Sequence, residues 1–108
     1  MITQKKLVIP IFDFTIYVFI IDKWEELKGK FGNIEMSGLI EYDLTRGVAS
    51  LVINTSNKKT IVHEANHIKN LIWRYIGYTP QPENDEVDSY LVAYIYNRIV
   101  DIYDKHNL

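Results

Sequence analysis

The hydrophobic pattern of the chain changes its period near residue 55, and this change constrains the fold more than any other feature. Before that point, β-branched and aromatic residues follow the two-residue period of β-strands. After it, apolar residues recur every three or four positions, as on one face of an α-helix; in the first such segment they are Ile61, Ala65, Ile68, Ile72 and Tyr75. Strands followed by helices predict the α+β class.

The pattern predicts a single domain over residues 1–108, with a small mixed or antiparallel three-stranded sheet, a short helix and two long C-terminal helices. Pro10 indicates an edge position or a bulge near the start of the first strand. Gly77 and the prolines after it end the first long helix. The predicted strands span 7–21, 36–44 and 48–54, and the predicted helices span 22–31, 58–76 and 83–104.

Composition excludes several classes of partner and of site. The net charge of -2 and the absence of any Lys/Arg run give no support for nucleic-acid binding. The apolar stretch 7–21 is interrupted by Asp13 and is shorter than the roughly 20 residues of a membrane span, so we expect no membrane partner. The chain has no cysteine, so a zinc ion would have to be held by His and carboxylate ligands.

The segment His63-Glu64-Ala65-Asn66-His67 is an H-E-x-x-H motif inside the first long helix. Two histidines at i and i+4 lie one turn apart on the same helix face, so both imidazoles can bind one ion at about 2.0–2.1 Å. Glu64 points in a neighbouring direction and can act as a general base on water activated by that metal. The motif therefore predicts zinc on His63 and His67 and a catalytic Glu64.

The same residues also have a purely structural interpretation. His63 and His67 could flank the apolar stripe as ordinary surface residues, with Glu64 as a solvated acid favoured by the helix dipole. The motif is complete, however, and it lies in an amphipathic helix after a polar loop. That context favours the metal site.

A catalytic zinc site needs a third protein ligand, and acids near the start of the last helix are the candidates. His106 is a poor candidate, because it lies about 20 residues, or roughly 30 Å, further along that helix. In an ideal antiparallel helix pair Glu86 would face about residue 73, which is six residues or about 9 Å from the level of the motif. From spacing alone the candidates are Glu83, Asp85, Glu86 and Asp88.

The motif followed by Glu86 resembles the zincin metallopeptidases, in the branch whose third ligand is a glutamate. The segment 85–95, DEVDSYLVAYI, is similar to one in short phage-encoded proteins, where an HExxH helix is followed by Gly and an E-x-x-[AS]-Y-L-x-[GA]-Y helix. The resemblance covers residues 48–96. The chain departs from the zincins in lacking a second lobe, and no third histidine follows Gly77 at the metzincin spacing.

The resemblance implies a minimal zincin-like fold that binds zinc through His63, His67 and Glu86, with Glu64 as the base. It also implies a peptide or protein substrate in extended conformation, paired through its backbone with the strand before the motif, at about 48–54. A phage-encoded protein of this kind would work in the host cytoplasm or in the virion.

Two functions follow as hypotheses. The first is a zinc-dependent metallopeptidase-like protein that hydrolyses peptide bonds with Glu64 as general base. The alternative is a non-catalytic, zinc-stabilised phage or virion protein, with a binding or structural role and a degenerate peptidase fold. Tyr90 and Tyr94 could donate a hydroxyl to an oxyanion, but tyrosines at helical spacing are more typical of packing between helices.

Overall fold

The β-rich half of the chain forms one mixed sheet in the computed structural model, which describes residues 2–21, 38–54, 60–83 and 85–106. Neighbouring strands pair antiparallel, parallel and antiparallel across the sheet. The predicted α+β class and the mixed sheet are therefore confirmed. The strands are β1 (Ile2–Ile9), β2 (Phe14–Ile21), β3 (Gly38–Asp43) and β4 (Val48–Asn54), in the spatial order β1-β2-β4-β3.

The first predicted strand is in fact two strands, so the predicted count of three is wrong. The chain turns at residues 10–13, where Pro10 lacks the N–H that a continuous strand needs and Asp13 has a left-handed φ of 51°. This turn folds β2 back onto β1, with Ile9 opposite Phe14. Pro10 lies in this turn at the end of β1, an outer strand of the described sheet, and not at an edge position or a bulge within a strand as predicted.

The strand before the motif, β4, is an interior strand that pairs with β2 on one side and with β3 on the other. An added peptide strand needs unpaired backbone groups at a sheet edge. The expectation that a substrate pairs with residues 48–54 is therefore wrong. On that side the edge of the described sheet is β3, which forms a hairpin with β4 through the turn at 44–47.

Two long helices, α1 (Thr60–Ile76) and α2 (Glu86–His106), cover one face of the sheet. Alternate residues of the strands meet the apolar stripes of both helices in a single core. Among the strands, α1 contacts mainly β3 and β4, whereas α2 contacts mainly β1 and β2. The fully buried side chains of this core include Phe14, Ile16, Leu51, Ile61, Ile68, Ile72, Ile95 and Ile99.

The glycine predicted to stop α1 does so. Gly77 has a φ of 76°, which glycine adopts without steric cost. The N–H of Tyr78 donates to the carbonyl of Trp73 at 2.9 Å, and the N–H of Gly77 donates to that of Arg74 at 3.3 Å. These two bonds satisfy carbonyls that the end of the helix would otherwise leave without donors.

Some predicted features lie outside the described residues. They are the short helix at 22–31, which includes Trp24, the first two residues of the strand at 36–44, the first two residues of the helix at 58–76, and residue 84 of the helix at 83–104. In the parts of the chain that the structure describes, no helix is both long and apolar enough to cross a membrane.

Candidate metal centre

The H-E-x-x-H motif lies in the first half of α1, one short connection after β4. Ile61, Ala65 and Ile68 are fully buried in the core and hold this part of the helix on the sheet. Near the other end of α1, Tyr75 packs so close to Gly47 in the β3–β4 turn that a Cβ on Gly47 would meet its ring at 2.7 Å. Because α1 is held at both ends, its rotation about its axis is fixed.

His63 and His67 converge as the spacing predicts. Their Nε2 atoms are 3.0 Å apart, and their ring centroids are 4.6 Å apart. Two Zn–N bonds of about 2.0–2.1 Å at a tetrahedral angle separate the nitrogens by roughly 3.3 Å, so the pair would have to open by only a few tenths of an ångström. Both side chains are exposed. The pair therefore fits two of the three protein ligands of a zinc site.

Glu64 lies beside the two histidines but is buried, with 7% of its surface exposed. Burial raises the pKa of its carboxyl above the ordinary value, and the neighbouring His63 and His67 oppose this rise. The interpretation of Glu64 as a solvated surface acid is therefore wrong. A shielded carboxylate with a raised pKa is a better proton acceptor than a free glutamate, which suits a general base.

Asp88, one of the candidate third ligands, has other partners. Its carboxylate accepts a hydrogen bond from Lys69 Nζ at 3.0 Å and another from Trp73 Nε1 at 2.6 Å. Both donors belong to buried residues of α1. Burial raises the pKa of Asp88, but the hydrogen bonds from Trp73 and Lys69 outweigh this and hold the pKa below its ordinary value. Asp88 therefore joins α2 to α1.

The same contacts show where Glu86 lies. Because Asp88 bonds to Lys69 and Trp73, the first turn of α2 faces the second half of α1 and not the turn that carries His67. Lys69 also points about 160° away from His67 around the helix. Glu86 is exposed and is not brought together with the histidines. Among the described residues, no group of three or more His, Cys, Asp or Glu side chains is placed to hold a metal.

No protein-family model, curated protein or solved structure matches this chain. The likeness to the zincins therefore rests on the residues of the motif and of α2 alone. The zinc, the substrate and the glutamate ligand that it implies stay predictions.

Tyr90 and Tyr94 line an open apolar groove of about 440 Å³ between α2 and the turn at 10–13. Tyr90 is 71% exposed, so the prediction that it packs between the helices is wrong. The hydroxyl of Tyr94 accepts a hydrogen bond from Arg98 at 2.8 Å. Within the described contacts, nothing joins either hydroxyl to the motif, and the oxyanion role has no structural support.

Two residues of α1 near the motif were not predicted from the sequence. Lys69 bonds to a residue 19 positions later on another helix, and no spacing rule connects such a pair. Arg74 could have been found, because it follows His63 and His67 at i+11 and i+7, which are spacings of one helical stripe.

Replacing Asp88 with Ala is expected to lower the free energy of unfolding by about 2–3 kcal/mol, because it leaves the buried Lys69 and Trp73 donors without their acceptor. Asp88 holds its proton less tightly in the folded state, so its contribution is present at neutral pH and is lost in acid as the carboxylate protonates. Urea denaturation at pH 7 measures the loss. The Asp88→Ala and Lys69→Met double variant should recover part of it.

The matched control for this prediction is Asp101→Ala, which removes an exposed carboxylate from the same helix. It should change stability by no more than about 0.5 kcal/mol. If Asp88→Ala were no more destabilising than Asp101→Ala, the Asp88 contacts would not hold the two helices together.

Proposed function

We propose that this chain is a zinc-dependent metallopeptidase-like protein that hydrolyses peptide bonds. His63 and His67 supply two zinc ligands, and Glu64 is the general base. The observation that carries the proposal is the approach of the two Nε2 atoms to 3.0 Å beside a buried carboxylate. Three residues of the right chemistry, two histidines and one glutamate, meet on one turn of one helix, and this arrangement suits metal-assisted hydrolysis.

Each chain residue has one role in the proposed reaction. A bound zinc ion would polarise the substrate carbonyl and make a nearby water more acidic. Glu64 accepts a proton from that water and returns it to the departing amine. The burial that raises the pKa of Glu64 makes it a stronger base.

The proposed substrate is an extended peptide added to the outer edge of β3 in the described sheet. This strand is the edge of the described sheet on the side of α1, and α1 contacts it directly. Backbone pairing recognises any sequence in extended form, so an edge strand suits a peptide better than a compact ligand. Because the motif resembles that of phage-encoded proteins, we also propose that the protein works in the host cytoplasm or in the virion.

Metal content and chelation test this proposal. Elemental analysis of the purified protein should find close to one zinc ion per chain. A mixed peptide library should be cleaved, cleavage should stop with a chelator, and it should return when zinc is added back. A protein with no zinc and no cleavage would reject the proposal.

One outcome favours the second candidate, a zinc-stabilised binding or structural protein. The motif histidines are exposed, and in the described residues only these two imidazoles converge on a metal position. If zinc binds near stoichiometry and raises the melting temperature but no peptide in the library is cleaved, the role of the site is structural.

The third ligand has its own test. The resemblance predicts that Glu86→Ala weakens zinc binding, by at least about tenfold if the carboxylate is a ligand. Asp88→Ala is the matched control, because Asp88 lies one half-turn away on the same helix and bonds to Lys69 instead. Competition with a fluorescent zinc chelator measures both affinities. Wild-type affinity in Glu86→Ala would exclude Glu86 as a ligand.

A further inference from the structure

The two motif histidines belong to a longer stripe on α1 that ends in a cation. His63, His67 and Arg74 stand at i, i+4 and i+11, which at about 100° per residue keeps them within roughly 40° of one another. All three side chains are exposed. Arg74 lies about 10 Å beyond His67 along the helix axis. The stripe therefore aligns the candidate metal ligands with a fixed positive charge.

The Arg74 end of the stripe lies beside β3, an edge strand of the described sheet. The guanidinium carbon of Arg74 lies 5.6 Å from the ring centroid of Tyr42, a residue of β3. This cation–π contact holds the charge beside the strand. Within the described residues Arg74 forms no ion pair, so its donors remain available to a ligand.

The helix α1 and the strand β3 run in the same direction. β4 ends beside Gly38, the start of β3, and α1 begins shortly after that end. α1 then passes back over the hairpin to reach Tyr42 with Arg74. A peptide that pairs alongside β3 as an added strand advances about 3.2–3.4 Å per residue. About three of its residues therefore span the 10 Å between the histidine pair and Arg74.

We propose that Arg74 is a specificity-determining residue, which binds an acidic side chain of an extended peptide about three residues from the bond that is cut. This inference rests on the proposed function, because His67 and His63 mark the place of cleavage. The guanidinium presents several N–H donors in a plane and pairs with a carboxylate through two of them at once. The preferred substrates are therefore extended peptides that carry Asp or Glu at that distance.

Binding to a Glu64→Gln variant, which would not cleave the peptide, tests the inference. The probe is a set of fluorescently labelled peptides that are neutral apart from one Glu, which is placed in turn at each position around the scissile bond. In the matched peptides Gln or Lys replaces that Glu. Fluorescence anisotropy at low salt should show one position where Glu strengthens binding about threefold to tenfold over Gln and Lys weakens it. Added salt should reduce the difference.

Substitutions at Arg74 decide the result. Arg74→Glu should reverse the order, so that the Lys peptide binds more tightly than the Glu peptide. Arg74→Lys keeps the charge without the planar donors and should retain part of the preference. The matched control is Arg98→Glu, an identical charge change on α2, which packs over the other half of the sheet. Arg98→Glu should leave the preference unchanged.

The failure of this inference can be distinguished from that of the proposed function, since zinc content and cleavage by the wild-type protein are measured separately. A zinc-loaded, active protein with no Glu preference, or with a preference that survives Arg74→Glu, would overturn the role of Arg74 alone. An equal loss of preference in Arg98→Glu would also overturn it, because the effect would then be one of net charge. The absence of any peptide binding would overturn it as well.

Discussion

Replacing Glu64 with Gln is expected to slow peptide hydrolysis by about 10²–10⁴-fold while the zinc content stays at the wild-type level. Glutamine has nearly the shape of glutamate but cannot accept a proton from water. Glu64 is not one of the proposed ligands, so the metal should remain bound. Because burial already disfavours the charge of Glu64, the neutral amide should cost the fold little. Cleavage of a fluorogenic peptide and elemental analysis are measured on the same sample.

Two further variants define what the loss of activity means. Glu64→Asp keeps the carboxylate but draws it back by one methylene, so activity should fall less than with Gln. Asp101→Asn removes an exposed carboxylate from α2 and should leave activity unchanged. Cleavage at the wild-type rate by a zinc-loaded Glu64→Gln protein would show that another group, or none, takes the proton.

The elements that could be predicted from the sequence are those whose signals are local. The α1 stripe and its stop at Gly77 depend on side-chain spacing and on one positive φ, and both are read within a few residues. The His63 and His67 pair is local in the same sense, because one helical turn sets the distance between the two rings. For this reason the geometry of the motif agrees with the prediction from the sequence, whereas several predicted contacts between distant segments do not.

The errors concern relations between distant segments. The run 7–21 has the composition of one strand, and only its pairing with itself shows that Pro10 and Asp13 form a turn. That β4 is an interior strand depends on its parallel pairing with β2, which no local pattern encodes. The acids of α2 look equivalent in sequence, but the buried donors of α1 select Asp88 as their acceptor. Tertiary contacts decided each of these outcomes.

Replacing His67 with Ala is expected to remove most of the stabilisation that zinc gives to the fold. At a free zinc concentration 100 times the dissociation constant, a bound ion stabilises the native state by about 2.7 kcal/mol. Loss of one of the two converging imidazoles should weaken binding by at least about 100-fold, since even residues that only orient a ligand contribute 10–100-fold. At the same zinc concentration the stabilisation then falls to about 0.4 kcal/mol. Thermal melting with zinc and with a chelator measures both values.

The controls for this prediction come from the same chain. Asn66→Ala changes an exposed residue between the two histidines, and His106→Ala removes the third histidine; neither should alter the response to zinc. Without zinc, His67→Ala should change the free energy of unfolding by no more than about 0.5 kcal/mol, because the side chain is exposed. His63→Ala should reproduce the effect of His67→Ala, since a single imidazole cannot hold the ion. An undiminished zinc response in both variants would mean that the metal binds elsewhere.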